Sequence, residues 1–273
     1  MLRFILIALV GLSLLKAAEY NGYVESRFGV RLHDNTYSDK MTMAELRLQL
    51  EIEEETDDLT FTLVSDFIAE GSDNRQSLNF RDGTGPIDLR QANVEFSPYE
   101  WMDMKIGRQI ATWGTGDLLF INDLFPKDWN AFIKGMNTEY LKAPTDSIKA
   151  SIFFNDLSLD IVYTPLFMPD RYVNGEDVSF YDRSTSSFYG RDNVLQTDTP
   201  NTYFSDDEIA LRLYQSIQAY EVALYYYNGF WKSPSGFSAT SGEALFDKLS
   251  VYGASIRGVL ANGIANAEIG YYA

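Results

Sequence analysis

From Ala44 to Ile52 the chain alternates strictly: even positions are apolar, and odd positions are charged or amide. A strand places successive side chains on opposite faces, so this segment has one apolar face and one wet face. A helix would set Leu48 beside Glu45 and Gln49, so a period of 3.6 fits worse. Ten or eleven such segments follow one another, and the connections between them alternate short with long. The double alternation predicts an all-β fold, a transmembrane antiparallel up-and-down β-barrel.

The expected strands begin near Tyr20, Ala44, Leu59, Ile87, Met102, Ser147, Leu157, Glu208, Tyr220, Leu249 and Ile264. Short links are the acidic run from Glu53 to Asp58, the Ser97 to Glu100 turn, the Asn155-Asp156 hairpin and the turn at Ala261. Long links run from Ala69 to Pro86, Thr112 to Asp146, Pro165 to Asp207 and Asn228 to Asp247. Outer-membrane barrels keep short turns in the periplasm and long loops outside, so these long links are expected at the cell surface. A secreted soluble all-β protein is the alternative.

The first residues change the picture. Met1 to Arg3 is a short positive stretch, Phe4 to Leu15 is apolar, and Ala17 and Ala18 offer a cleavage point. The run is too short to span a bilayer and has the form of a secretory signal peptide. Residues 1–17 are read as that signal and 18–273 as the barrel. The chain has no Cys, which excludes a lipoprotein anchor and disulfides and suits export through an oxidising periplasm. Aromatic residues make up 15%, as interfacial girdles require. The net charge of −17 argues against nucleic-acid binding, which needs a basic surface.

Eleven strands is an odd number, whereas bacterial single-chain barrels have an even one. An unpaired strand edge cannot face lipid, because its backbone groups would lack partners. An incomplete barrel, with further strands beyond Ala273, is therefore expected.

The most specific local text is Gly107-Arg108-Gln109, then Trp113-Gly114 and Asp117, followed by Asn122-Asp123 and Pro126-Lys127-Asp128. It resembles the G-R-Q-x-x-x-W-G-x-x-D pattern of Gram-negative outer-membrane barrels of the alginate-export type. The resemblance covers this strand-and-loop unit well and the rest only as general barrel pattern. It implies an outer-membrane pore or exporter and no catalytic residue.

The motif can also be read physically. Arg108 shares parity with Ile106 and Ile110, which aims a cation at lipid and costs about 2–4 kcal/mol at mid-membrane. Either Arg108 sits at the outer rim or a bulge at Gly107 swings it into the lumen; the bulge is preferred. The loop beyond carries Phe120, Phe125, Trp129 and Phe132, aromatics that a freely solvated loop would waste. They are read as folding the loop into the barrel mouth, with Arg108, Trp113, Asp117, Asp123, Phe125, Asp128 and Trp129 as constriction residues. The alternative is an external lid. The acidic spacing matches no EF-hand, and no metal site is assigned.

Enzymatic chemistry finds little support. Barrel hydrolases need a His with a nucleophile or carboxylate, and the single His33 lies at the end of a strand. No phosphate loop or Cys/His pattern points to a cofactor. The wet faces carry Arg27, Arg31, Arg47, Lys105, Lys149 and Arg212 against Glu25, Glu45, Glu51, Asp66, Glu95, Asp160 and Glu208. Gln49, Gln91, Asn93 and Gln109 add neutral polar groups to this expected lumen lining. Near balance of sign suggests modest selectivity. The resulting expectation is a passive bacterial outer-membrane pore or exporter for small polar solutes or oligosaccharides. Its expected partners are outer-membrane lipid, lipopolysaccharide, the barrel-assembly machinery and the solute. The alternative is a non-conducting scaffold or surface-binding barrel with a filled lumen.

Overall fold

The computed structural model describes residues 18–71, 77–116 and 118–273; the expected signal peptide lies outside them. Seven long strands come first: β1 (Glu19–Val30), β2 (Met41–Glu55), β3 (Leu59–Glu70), β4 (Ile87–Tyr99), β5 (Met102–Gln109), β6 (Thr145–Phe154) and β7 (Leu157–Thr164). Short strands β8 (Phe180–Asp182), β9 (Ser187–Tyr189) and β10 (Thr197–Asp198) follow in a loop. Then come β11 (Glu208–Ile217) and β12 (Tyr220–Phe230), short β13 (Gly236–Phe237) and β14 (Ala244–Leu245), and finally β15 (Lys248–Leu260) and β16 (Gly263–Tyr272). The eleven long strands form one up-and-down sheet, each paired with its sequence neighbour and all antiparallel.

Alternation drives this arrangement. On β2, Leu46 and Leu48 are about half exposed at 51% and 48%, whereas Arg47 between them is 5% exposed. Register carries the same sides across neighbours: Val24, Leu48 and Phe67 stand in one row, and Tyr23, Gln49 and Asp66 in the next. One face is therefore an apolar belt, continued by Phe28, Ile106, Ile148, Leu224 and Ile256. The other face, called inner here, carries the loop 110–144.

All the tight turns lie at one end of the sheet and all the long loops at the other. Four turns have only two residues, and in three of them the first members, Asn155, Gln218 and Ala261, have φ of 52°, 58° and 54°. Strands run further than the sequence indicated. β2 absorbs Glu53 to Glu55, and the turn is closed by Thr56, whose Oγ accepts from the Leu59 N–H at 3.1 Å. β4 likewise absorbs Ser97 to Tyr99, with a register shift between Phe96 and Tyr99.

The sheet is curved but not closed: β1 and β16 make no contact. Because the strand number is odd, these two edges run in the same direction.

Candidate functional site: the loop across the inner face

The loop 110–144 leaves β5, crosses the inner face and returns to β6. It contains α1 (Trp129–Ile133), capped by Asp128, whose carboxylate accepts from the Ala131 N–H at 2.7 Å. A 3₁₀ turn follows at Thr138–Leu141.

The root of the loop rests on apolar wall. Trp113 and Phe125 meet edge to face at 4.9 Å between centroids. They pack with Val162 of β7, Ala210 of β11, Ala223, Tyr225 and Tyr227 of β12, and Leu249 and Val251 of β15. Polar contacts finish the seat. The Thr115 hydroxyl donates to Glu268 of β16 at 2.7 Å, and Tyr272 donates to the Ile121 carbonyl at 2.5 Å. Asn122 occupies the space that a side chain on Gly253 would fill.

The other end of the loop meets a charged wall. Tyr140 is 4% exposed, and its hydroxyl donates to Asp66 at 2.7 Å. The same oxygen contacts Gln49 Nε2 at 2.9 Å and the Tyr23 hydroxyl at 2.6 Å. The ring lies between two guanidiniums, Arg47 at 4.9 Å and Arg90 at 4.4 Å. Arg47 bridges Glu45 and Asp66, and Arg90 donates to the Lys142 carbonyl at 2.8 Å. Burial raises the Tyr140 pKa above the ordinary phenol range, and hydrogen bonds with Tyr23 and Asp66 add to this.

Between root and tip, the loop is tied to the neighbouring long loops. Arg171 reaches from the 165–207 loop to Asp88 of β4 at 2.7 Å and to Asp128 at 3.2 Å. Burial works against its charge, but Asp88 and Asp128 outweigh it and hold the pKa above the usual guanidinium value. Lys127 pairs with Asp123 at 3.0 Å; burial still pushes its ammonium pKa down. Asp170 accepts from Trp129 Nε1 at 2.9 Å and from the Lys127 N–H at 2.7 Å. Lys232 pairs with Glu208 at 2.6 Å.

The expected lining residues fall as follows. Arg27 pairs with Glu25, Lys105 with Glu95 at 3.3 Å, and Arg212 with Glu221 at 2.7 Å, all on the inner face. Asn93 and Gln109 are buried there, and their side chains donate to the carbonyls of Arg108 and Ser147. Gln91 stands opposite Val64, and Lys149 opposite Lys105. Arg31 lies beyond β1, in the first long loop, and donates to the Asp39 carbonyl at 3.0 Å. Asp117 lies outside the described residues.

Arg108 departs from the preferred expectation. The register from Ala92↔Arg108 to Phe96↔Met104 is unbroken, so there is no bulge at Gly107. Arg108 stays on the face of Ile106, paired with Asp146 at 2.7 Å and covered by loop backbone, since it also donates to the Phe80 carbonyl. Gly107 serves a different need: at φ +122°, a Cβ would strike the Ala92 carbonyl oxygen. The bulge lies instead on β4, where the register shift between Val64 and Ser65 leaves Arg90 unopposed. It turns Asp88 and Arg90, which share sequence parity with Ala92 and Val94, to the inner side. Sequence reading missed both, along with Tyr140 and Arg171.

Two chambers flank the loop. One, of about 580 Å³, is walled by the long loops, the β2 and β3 inner faces and the loop tip. The other, of about 330 Å³, lies against β5 and β6 beside Lys105, Gln109, Trp113 and Lys149.

No family model matches the chain, and no curated protein matches it. Among solved structures it is similar to OmpF of Salmonella typhi in complex with daunomycin, at 12% identity and a TM-score of 0.42. That match covers 92% of this chain and 64% of OmpF, so the chain spans slightly less than two thirds of that protein. OprB of Pseudomonas putida at high pH matches at 14% identity and a TM-score of 0.42, over 96% of this chain and 69% of OprB. A mutant Rh. blastica porin matches at 13% identity and a TM-score of 0.38, over 94% and 80%.

Proposed function

We propose that the chain forms the wall of a bacterial outer-membrane channel for small polar solutes, oligosaccharides among them, and that the loop 110–144 is its constriction. The observation that carries this reading is the sorting of side chains. Leu46 and Leu48 are half exposed while Arg47 is buried, and register extends that division over neighbouring strands. A soluble sandwich would bury its apolar face in a core; here the apolar face is the bare one. Lipid and lipopolysaccharide would meet that belt, and the barrel-assembly machinery would insert it. The long-loop end is assigned to the cell surface.

Facing supplies the test. Leu48→Arg should impair assembly, at a cost of about 2–4 kcal/mol near mid-membrane. Gln49→Arg should spare insertion while altering conductance. Equal tolerance in a heat-modifiability assay would remove the membrane reading. An assembled protein silent in planar bilayers would instead favour a plugged scaffold.

A further inference from the structure

The larger chamber differs in sign from the balanced lumen that the sequence suggests. Eight carboxylates line it, among them Glu70, Asp82, Glu176 and Asp177, against three basic groups, Arg47, Lys134 and Arg171. Each basic group is already in an ion pair with an acid: Arg47 with Glu45 and Asp66, Lys134 with Asp177, Arg171 with Asp88 and Asp128. The smaller chamber is balanced, with Glu95 and Asp103 against Lys105 and Lys149. At the short-turn end the sign turns negative again. Glu19 stands directly opposite Glu53 on the inner face, a like-charge pair that costs stability.

We propose that this profile makes the channel cation-selective, with small amine-bearing, hydrogen-bonding solutes as its preferred substrates. The inference rests on the channel reading above. A cleft lined by one sign concentrates counter-ions several-fold. The charge acts as a field rather than a chelate, since among the described residues no three acidic or His side chains are grouped to hold a metal ion. Conduction requires that attraction be strong enough to admit an ion and weak enough to release it. Tyr172 adds aromatic lining, and Asn130, Asn174 and Thr199 add hydrogen-bonding groups. An ammonium ion can be drawn to the first and a hydroxyl or amide can bond the second.

The experiment is reversal potential in a KCl gradient across planar bilayers holding the full-length protein, repeated with 1,4-diaminobutane as the cation. The cation-to-anion permeability ratio should be about 5 or more and should fall as salt rises toward about 1 M. The triple variant Glu70→Gln, Asp82→Asn, Glu176→Gln should lower the ratio about threefold. A conducting channel with a ratio near one, or with anion preference, overturns the proposal. So does a wild-type ratio insensitive to salt, a measurement that does not depend on the variant assembling. Absence of any conductance would sink the channel reading instead.

Discussion

The two halves of the inner wall hold the same loop by different physics. Strands β7 to β16 offer an apolar, aromatic surface on which Trp113 and Phe125 are buried. Strands β1 to β4 offer Arg47, Asp66 and Arg90, which hold Tyr140 by ion-linked hydrogen bonds and ring faces. Apolar seating depends on shape and on exclusion of water, and is nearly indifferent to pH and salt. The charged seating depends on protonation and on every partner being present. The loop therefore has a fixed root and a conditional tip.

The sharpest way to break the comparison is to cut the root. Trp113→Ala should cost about 3–5 kcal/mol in urea unfolding of the refolded protein and should enlarge single-channel conductance. An unchanged unfolding midpoint would show that the aromatic wall does not bear the loop. At the tip, Tyr140→Phe removes the hydrogen bond to Asp66 and should cost less, about 1.5–3 kcal/mol, with the root still protected from protease.

Alkaline titration should separate the two regions further. Tyr140 is raised in the folded protein by burial, Tyr23 and Asp66, while a free phenol ionises near pH 10. Above about pH 10 the detached tip loses a proton that the seated tip retains, so seating weakens as pH rises. Conductance should increase there in the wild type, and this Tyr140 component should vanish in Tyr140→Phe. A persistent increase of the same size would assign the effect elsewhere.

The smallest effect concerns neither wall. Ala261 holds φ 54° in an exposed turn, so Ala261→Gly should stabilise by about 0.5–1 kcal/mol, with conductance unchanged.

Strand number, facing and loop sorting were legible in sequence because a period of two survives wherever one face of a sheet is apolar and the other polar. The site was legible only in part. Trp113, Phe125 and Trp129 stood out as aromatics in a polar loop, but nothing local marks Tyr140, whose partners lie up to 117 residues away. The instructive pair is Arg90 and Arg108, both charged on an apolar parity. One is turned inward by an extra residue in β4; the other remains outside and is roofed by the Phe80 loop. Parity announces that something must yield, yet the choice between bulge and cover is made by neighbouring strands and loops.

The pairing scheme also implies an order of assembly. Each long strand pairs only with its sequence neighbours, so the wall can zip up hairpin by hairpin, each step closing a modest loop. The loop 110–144 is different: Thr115 finds Glu268 across 153 residues, and that acceptor comes into position only once β16 is in place. The loop 110–144 is thus the last to acquire its partners. A chain caught in mid-assembly has a finished apolar outer belt and an unfurnished interior. In pulsed hydrogen exchange during refolding, amides of β1 to β4 should gain protection before those of 110–144.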